Sequence, residues 1–417
     1  MAYMTLTKTF SALTTDLRLA LRNILRQRRR SVIAIVAISF GVIAMMLAAG
    51  FIEWIFWATR EGVAVTQLGH IQIVKPGYYE NGQADPFAYL LPQQSPALSD
   101  LQKMAGVRSV TPRLDFNGLI SHGDSTLSFI AMGIDPASDP SLRYLIIVQG
   151  NRLNIDDPKG ILLGAGLAAN LGVKVGDMVV LLTGTRTGGI NAVEARIQGL
   201  VSTSIKAYDD TMLRVPIDMA RQLLRVSGAH VWVASLQDTS MTESVFKKLK
   251  VEPSLKPYEI TPWTKLADFY NKTVELLTQQ IAVVRLIIAT IIVLSISNTM
   301  SMSVMERTVE IGTAMALGIK RRRILGLFLL EGVLLGAIGG ICGVTLGYLA
   351  ATLISFVGIP MPPSPGMSRG FTAAIIITPT IIWEALLLAV TTTLIASLYP
   401  AWRASRLVIV DALRHNR

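Results

Sequence analysis

A run of 21 consecutive residues without a charged side chain, from Val32 to Ile52, constrains the fold of this chain more than any other feature. As an α-helix this run is about 31 Å long, which matches the roughly 30 Å hydrocarbon core of a bilayer. The apolar stretch of a cleaved signal peptide is shorter, about 7–15 residues. The run therefore predicts a helix that stays in the membrane, directly after the basic triplet Arg28, Arg29 and Arg30.

Three further apolar runs are long enough to cross a bilayer. They are Leu286–Val304, Ile324–Val357 and Phe371–Leu398. The last two contain one carboxylate each, Glu331 and Glu384, and a charge at mid-membrane is costly. Glu331 lies two turns after Arg323, so we expect it near the interface and paired with a basic neighbour. For Glu384 the sequence leaves packing and function open.

The distribution of charge decides between a membrane protein and a nucleic-acid binder. Only 16% of the residues are charged, against about 25% in soluble domains, which excludes an ordinary soluble enzyme and a disordered chain. The net charge of +11 divides into +5 for residues 1–57, 0 for 58–275 and +6 for 276–417. Basic residues thus flank the apolar runs, and nothing supports nucleic-acid binding. The positive-inside rule places both termini and the 305–323 loop in the cytoplasm.

The sequence therefore predicts an α-helical membrane protein with four transmembrane helices and a large α+β extracytoplasmic domain inserted between helices one and two. The predicted segments are a cytoplasmic amphipathic helix (1–30), the first transmembrane helix (31–57), a periplasmic α+β domain with its stalk (58–275), the second transmembrane helix (276–304), a cytoplasmic coupling helix (305–323), the third transmembrane helix (324–357), a periplasmic loop (358–372), the fourth transmembrane helix (373–398) and a cytoplasmic tail (399–417).

Hydrophobic periodicity predicts several elements of the outer domain. The strand-like stretches are Gly69–Lys75, Thr126–Gly133, Met178–Leu182 and Val193–Val201, and the helical ones are Leu163–Leu171, Ile217–Val226 and Thr242–Leu249. The region is large enough for its own core, and two subdomains would fit its length.

Two amphipathic patterns flank the membrane helices. Before helix two, apolar residues recur at spacings of three and four and predict a stalk continuous with that helix: Leu266, Tyr270, Val274, Leu277 and Ile281. Near the N-terminus, Leu13, Leu17, Leu21 and Ile24 form an apolar stripe beside three arginines, which suits a helix on the anionic inner leaflet or against a partner.

Helix three is rich in glycine at small-xxx-small spacing. Its packing candidates are Gly336, Gly339, Gly340, Gly343 and Gly347. Such spacing lets backbones approach closely where lipid offers no hydrophobic drive for association.

The sequence offers no catalytic or metal site. It has no Gly-Lys dipeptide, and so no Walker A loop for ATP, and no G-x-S-x-G or H-E-x-x-H. Cys342 is the lone cysteine and the four histidines are scattered. Gly164–Ala169 imitates a dinucleotide-binding turn, but no acidic residue follows about 20 positions later, so we interpret it as a packing turn between a strand and a helix.

The strongest motif is Asn298–Ile324, which reads NTMSMSVMERTVEIGTAMALGIKRRRI. It resembles the signature of the FtsX-like permease family, the membrane subunits of ABC transporters such as macrolide exporters and the Lol lipoprotein-releasing complex. The resemblance continues through Phe328–Gly340, Pro400–Ser405 and Asp411–Arg414. The order of parts, one helix, a large external domain and three helices, is also similar.

The resemblance implies that the loop after helix two carries a coupling helix that docks on an ABC ATPase. The implied coupling residues are Glu306, Arg307, Thr308, Glu310, Ile311, Gly312, Ala316 and Gly318. Such permeases work by mechanotransmission: ATP-driven dimerisation of the ATPases moves the stalks and external domains. The chain itself would bind no cofactor, since ATP and Mg belong to a separate ATPase subunit. Its other implied partners are a second permease copy, in a homo- or heterodimer, membrane lipid, and a periplasmic lipoprotein carrier or adaptor.

Within the family the chain looks most similar to the lipoprotein-releasing branch. Only 30 residues precede the first apolar run, whereas macrolide exporters carry a fused ATPase there. The leading hypothesis is extraction of lipoproteins or other lipid-anchored or amphipathic substrates from the outer face of a bacterial inner membrane. The alternatives are a macrolide-exporter-like subunit of a tripartite pump and a transmembrane signal transducer that controls a periplasmic cell-wall hydrolase.

Overall fold

The computed structural model describes residues 16–82, 84–203, 206–363 and 370–408, and it divides into two compact units. The helical unit comprises Met1–Phe56, Val274–Ile359 and Thr372–Arg417. The α/β unit comprises Trp57–Thr273 and Pro360–Phe371. Leu13 of the predicted N-terminal stripe, residues 364–369 of the predicted 358–372 loop and the Asp411–Arg414 motif lie outside the described residues.

Helices account for most of the helical unit and several small elements of the α/β unit. They are α1 (16–26), α2 (Arg28–Glu61), α3 (Tyr78–Asn81), α4 (Pro96–Lys103), α5 (Ser141–Tyr144), α6 (Ala165–Leu171), α7 (Lys206–Asp209), α8 (Ile217–Leu224), α9 (Thr242–Val251), α10 (Trp263–Leu266), α11 (Asp268–Glu306), α12 (Thr308–Ala316), α13 (Arg321–Val357) and α14 (Pro379–Ser405). A π-helical turn, Gly62–Leu68, follows α2, and short 3₁₀ turns lie at Pro86–Tyr89, Thr239–Met241 and Pro253–Leu255.

The strands lie almost entirely in the α/β unit. They are β1 (Ile71–Val74), β2 (Val107–His122), β3 (Ser125–Ile134), β4 (Ile146–Gly150), β5 (Gly160–Gly164), β6 (Met178–Gly184), β7 (Ile190–Ser202), β8 (Met212–Pro216), β9 (Val231–Leu236), β10 (Glu259–Pro262), β11 (Ile359–Met361) and β12 (Phe371–Ala373).

Four helices among the described residues are long and apolar enough to cross a membrane: α2, α11, α13 and α14. The first three contain the predicted runs Val32–Ile52, Leu286–Val304 and Ile324–Val357. They share one apolar core with α14, in which Ile38, Ile296 and Ala389 are fully enclosed or nearly so.

The fourth long helix differs from its predicted bounds of 373–398. It begins at Pro379 and ends at Ser405, with Pro400 inside it. Proline fits the first turn of a helix because its missing N–H has no acceptor there. The Thr378 hydroxyl caps the same turn by accepting from the backbone N–H of Ile381. Residues 374–378 are therefore not helical, and Phe371–Ala373 pairs with β11 instead.

The predicted stalk is also shorter than expected. Tyr270, Val274, Leu277 and Ile281 lie on α11, on its less exposed face. Leu266 does not lie on this helix, because the backbone of Ala267 leaves the helical region (φ −91°, ψ 58°) and separates α10 from α11. The helix nevertheless runs unbroken for 39 residues into the predicted second transmembrane segment.

The α/β unit is built around one long strand, β2. Its first half, Val107–Arg113, pairs antiparallel with β9, and its second half, Leu114–His122, pairs antiparallel with β3. The sheet order is β10-β1-β9-β2-β3-β8-β5-β7-β4, with β6 paired to β2 and β7. One apolar core surrounds Phe129 and Leu213, and a second surrounds Trp232. The second half of β2 packs in the first core and the first half packs in the second.

The elements predicted for the outer domain are confirmed within a few residues. The four strand-like stretches correspond to β1, β3, β6 and β7, and the three helical ones to α6, α8 and α9. The helix predicted from Leu163 begins at Ala165, because Leu163 and Gly164 complete β5. Gly164 is a packing turn: an added Cβ would lie 2.1 Å from the carbonyl oxygen of Asp209.

Candidate functional site

The predicted coupling residues surround a short helix between two long ones. Helix α11 ends at Glu306, and Arg307 leaves the helical conformation (φ −99°, ψ 12°) before α12 begins. After α12, Gly318 adopts a positive φ of 92°, which an L side chain rarely tolerates. The chain then enters α13 at Arg321. We call this end of the helical unit, formed by residues 16–30 and 303–323, the basic edge.

Both glutamates of the basic edge form ion pairs with arginines close to the N-terminus. Arg30 contacts Glu306, and Arg26 contacts Glu310. The side chains of Glu306 and Glu310 remain 49% and 52% exposed. A third contact is close by, where the Ser303 hydroxyl donates to Gln27 Oε1 over 2.8 Å. These contacts attach the N-terminal residues to the end of α11 and the start of α12.

Arg307 points into the helical unit, although the sequence suggested a contact with a partner. Its side chain is 15% exposed and lies 3.5 Å from Glu310 and 3.3 Å from Glu331. Its guanidinium also lies over the Phe328 ring, 5.5 Å from the centroid. Glu331 is therefore paired with a basic residue, as expected, but that residue is Arg307. Arg323 instead binds Asp16 over 2.8 Å.

The remaining residues of α12 divide between an inner and an outer face. Ile311 and Gly312 are buried, and Thr308 donates its hydroxyl to the carbonyl of Met305. Ala316 and Gly318 are exposed, as is Leu317, which has 82% of its surface accessible. The outer surface of the basic edge thus combines two half-exposed carboxylates with exposed apolar side chains, of which Leu317 is the most accessible.

The N-terminal apolar stripe is only partly covered. Ile24 is buried, whereas Leu17 and Leu21 are each 44% exposed. Arg18 and Arg22 are exposed beside them. This arrangement gives α1 an uncovered apolar surface next to positive charge, which suits either an anionic bilayer surface or a partner protein.

The glycines of α13 form two stripes that meet two different helices. An added Cβ at Gly336 would lie 2.1 Å from Thr393 Oγ1, and at Gly340 3.2 Å from Ala389 Cβ, both on α14. The other three contact α2: Gly339 meets Ile38, Gly343 meets Val42 and Gly347 meets Met46. Ser39 also donates to the carbonyl of Gly339 over 2.9 Å. The α13 backbone is therefore packed closely on both sides.

Glu384, which the sequence left open, forms an ion pair with Arg285. The pair joins α14 to α11, and its side chains are 37% and 35% exposed. A charged residue in an apolar helix is strongly favoured to find an opposite charge. Its partner lies 99 positions earlier in the chain.

Two family models match this chain. The FtsX-like permease C-terminal model matches residues 282–409, and the MacB-like periplasmic core domain model matches residues 31–250, which is more than half of the chain. Together with the four apolar helices and the large α/β unit, these two matches define a membrane permease with a periplasmic core domain. The chain belongs to the FtsX-like permease family of ABC transporters and carries a MacB-like periplasmic core domain.

Relatives in this family come from both archaea and bacteria. An uncharacterised ABC transporter permease of Methanocaldococcus jannaschii is 29% identical over 216 residues, 50% of this chain and 52% of the relative. The lipoprotein-releasing system transmembrane protein LolC of Neisseria meningitidis serogroup B is 22% identical over 409 residues, 93% of this chain and 94% of the relative. The macrolide export ATP-binding/permease protein MacB of Escherichia coli (strain K12) is 27% identical over 334 residues, which cover 75% of this chain and 47% of the relative. The chain spans about half the length of the first and third of these relatives.

Proposed function

We propose that this chain is the permease subunit of an ABC transporter that extracts lipoproteins, or other lipid-anchored or amphipathic molecules, from the outer face of a bacterial inner membrane. The family assignment supports the permease role. The similarity to a lipoprotein-releasing protein along 93% of the chain supports the substrate class. Hydrolysis of ATP, with its Mg, takes place on a separate ATPase subunit, and two permease copies form the transporter.

In this proposal the basic edge faces the cytoplasm together with both termini. The charge pattern supports this orientation, since Lys320, Arg321, Arg322 and Arg323 follow α12 and six of the seven basic residues before Trp57 lie in 18–30. The half-exposed Glu306, Glu310 and Leu317 then form the surface that meets the ATPase. Arg307 acts from inside the helical unit and fixes the position of α12 through Glu310 and Glu331.

The ion pairs of the basic edge are the observation that supports the proposal, because they connect α12 and its neighbours to other helices through which a displacement of α12 could be transmitted. Helix α12 lies between α11 and α13 in the chain, and Arg26 and Arg30 bind its first turn and the end of α11. A movement of α12 would therefore also displace α2, through the contact between Arg30 and Glu306. Helix α11 is continuous over 39 residues, about 58 Å, which is long enough to act as a lever beyond the bilayer.

Charge reversal at Glu306 tests the coupling role. In proteoliposomes that contain the permease and its ATPase, we expect Glu306→Lys to lower ATP hydrolysis several-fold, because it places a cation beside Arg30 and removes a carboxylate from the docking surface. Glu275→Lys is the matched control, since Glu275 is an exposed carboxylate on the same helix. Unchanged ATPase binding and hydrolysis in Glu306→Lys would refute the assignment.

A swapped pair separates the two roles of Glu306. The double variant Arg30→Glu, Glu306→Arg restores the ion pair but leaves a cation at the surface of position 306. If hydrolysis recovers to the wild-type rate, Glu306 acts through Arg30 alone and does not contact the ATPase. Hydrolysis that stays as low as in Glu306→Lys supports direct docking.

The substrate class is tested by the same proteoliposomes. We expect a diacylated lipoprotein to raise the rate of ATP hydrolysis and to appear in the soluble fraction when a lipoprotein carrier is added. The same protein without its acyl chains is the control and should do neither. Equal rates with and without acyl chains would exclude extraction of lipid-anchored molecules.

A second candidate function is favoured by the MacB-like core domain over residues 31–250. A macrolide-exporter-like subunit would bind a periplasmic adaptor and, through it, an outer-membrane channel. Stable co-purification with such an adaptor, together with macrolide-stimulated hydrolysis, would favour this function over lipoprotein extraction.

A further inference from the structure

Three arginines line a cavity of about 360 Å³ in the α/β unit. They come from three separate segments: Arg108 lies at the start of β2, Arg143 on α5, and Arg152 after β4. All three side chains are exposed. The buried side chains of Leu142 and Leu153 also line the cavity and give it an apolar wall.

None of these arginines has an ion-pair partner within the part of the chain that the structure describes. Arg152 donates instead to the carbonyl of Arg143 over 3.1 Å, which ties two of the segments together. The lining also includes Asp139, but this carboxylate is enclosed and accepts two bonds from Arg113, at 2.9 and 3.1 Å. Its charge is therefore balanced by Arg113, so Asp139 does not neutralise the three arginines that line the cavity.

The backbone that carries Arg143 is fixed before any ligand arrives. Asp135 accepts from the backbone N–H of Ala137 and from the Ser138 hydroxyl. Asp139, held by Arg113, accepts from the backbone N–H of Ser141 over 2.9 Å. A site on a fixed backbone segment loses less conformational entropy on binding, so ordering of the backbone adds little to the cost of a contact between Arg143 and a ligand.

We infer that this cavity binds the phosphate group of an anionic ligand. Guanidinium groups bind phosphate oxygens with paired N–H donors, and a tetrahedral phosphate has enough oxygens for three of them. A planar carboxylate offers two oxygens and suits fewer arginines. The cavity has room beside the phosphate for the organic part of a phosphomonoester or a phosphodiester, which includes a phospholipid headgroup.

Titration of the full chain in an uncharged maltoside detergent tests this inference. The probes are inorganic phosphate, glycerol 3-phosphate, and dihexanoyl phosphatidylglycerol below its micelle concentration. We expect binding of at least one phosphate ester, and at least a tenfold weaker affinity for each arginine removed in Arg143→Gln and Arg152→Gln. Glycerol 3-phosphate as the tightest probe indicates a soluble phosphomonoester, and the lipid as the tightest probe indicates a headgroup.

The control is Arg186→Gln, an exposed arginine of the same unit outside this cavity. It should bind every probe as the wild type does. Arg108→Gln provides an independent variant, since it changes a different segment, and the thermal midpoint of each variant shows whether it is folded. The inference is overturned if no phosphate ester binds the wild type, or if Arg143→Gln, Arg152→Gln and Arg108→Gln all keep wild-type affinity.

Discussion

Replacing Arg113 by Met should destabilise the α/β unit by about 3–5 kcal/mol, because it leaves the Asp139 carboxylate buried without its counter-charge. The two side chains are 3% and 0% exposed, and Arg113 also donates to the carbonyl of Gln67 over 2.6 Å. For a unit of this size the loss corresponds to a fall of roughly 6–20 °C in the thermal midpoint. Thermal unfolding of the full chain in detergent, followed by tryptophan fluorescence, measures it.

A second ion pair of the same unit provides the control. Arg196 and Asp157 also lie close, with 2.7 Å between nitrogen and oxygen, but Arg196 is 54% exposed. Exposed pairs contribute about 0–1 kcal/mol, so Arg196→Met should change the thermal midpoint little. If Arg113→Met is as mild as Arg196→Met, the buried pair has no special role in stability.

The pH dependence of Arg113→Met follows from the same contacts. Burial alone would raise the pKa of Asp139, but Arg113 and the bonds from Ser141 outweigh burial and hold that pKa below its usual value. The stabilisation by this pair is complete above the unfolded pKa of about 3.9 and is lost as the pH falls through the folded pKa. In the variant the opposing effect of Arg113 is gone and only the bonds from Ser141 offset burial, so the pKa of the folded-state Asp139 is higher than in the wild type. Protonation removes the cost of the unpaired buried carboxylate in the variant, so the stability difference between wild type and variant should narrow as the pH is lowered from neutral towards acid.

The apolar runs allowed the helical unit to be predicted because the thickness of a bilayer fixes the minimum length of a helix that crosses it. A stretch of about 20 residues without charge has few alternatives to a membrane helix. The ends of these helices were predicted less well, since they depend on local backbone chemistry. Pro379 with its Thr378 cap and the break at Ala267 decide where α14 and α11 begin.

The contacts of the basic edge could not be predicted from spacing. Glu306 and Arg30 are 276 positions apart, and only the packing of α2 beside α11 brings them together. The family resemblance pointed to α12 as a docking element, and that role stays a prediction. It gave no sign that Arg307 points inward to Glu331, because that direction depends on the non-helical backbone at residue 307, which the motif does not reveal.

Strand β2 and the arginine cavity escaped prediction for a related reason. Strand β2 contains Pro112 and Gly118, which are both unfavourable inside strands, and it alternates poorly because its two halves face different clusters. Gly118 is required there, since an added Cβ would lie 2.2 Å from the carbonyl of Leu182. The cavity takes its arginines from three segments, so no local pattern in the sequence reveals it.

Replacing a closely packed glycine of α13 by alanine should also destabilise the protein strongly. A series of three alanine variants tests whether close contact with neighbouring helices is the reason. In Gly343→Ala the new Cβ would lie 2.7 Å from Val42 Cβ and 3.0 Å from the Ser39 backbone, so α2 and α13 must move apart. Overpacking of this kind costs about 1–3 kcal/mol. Separation would also weaken the bond from Ser39 to the Gly339 carbonyl.

The same substitution should cost progressively less at Gly340 and Gly326. At Gly340 the new Cβ meets Ala389 Cβ at 3.2 Å, which a small shift can relieve, and at Gly326 it meets nothing within 4 Å. Because alanine favours helix over glycine by up to about 1 kcal/mol, Gly326→Ala should be neutral or stabilising. Thermal unfolding of the purified chain should therefore rank the midpoints Gly326→Ala, Gly340→Ala, Gly343→Ala from highest to lowest. An equal fall in the thermal midpoint at all three positions would mean that α13 needs glycine for backbone flexibility. The ranked order would mean that α13 needs glycine for close contact with α2 and α14.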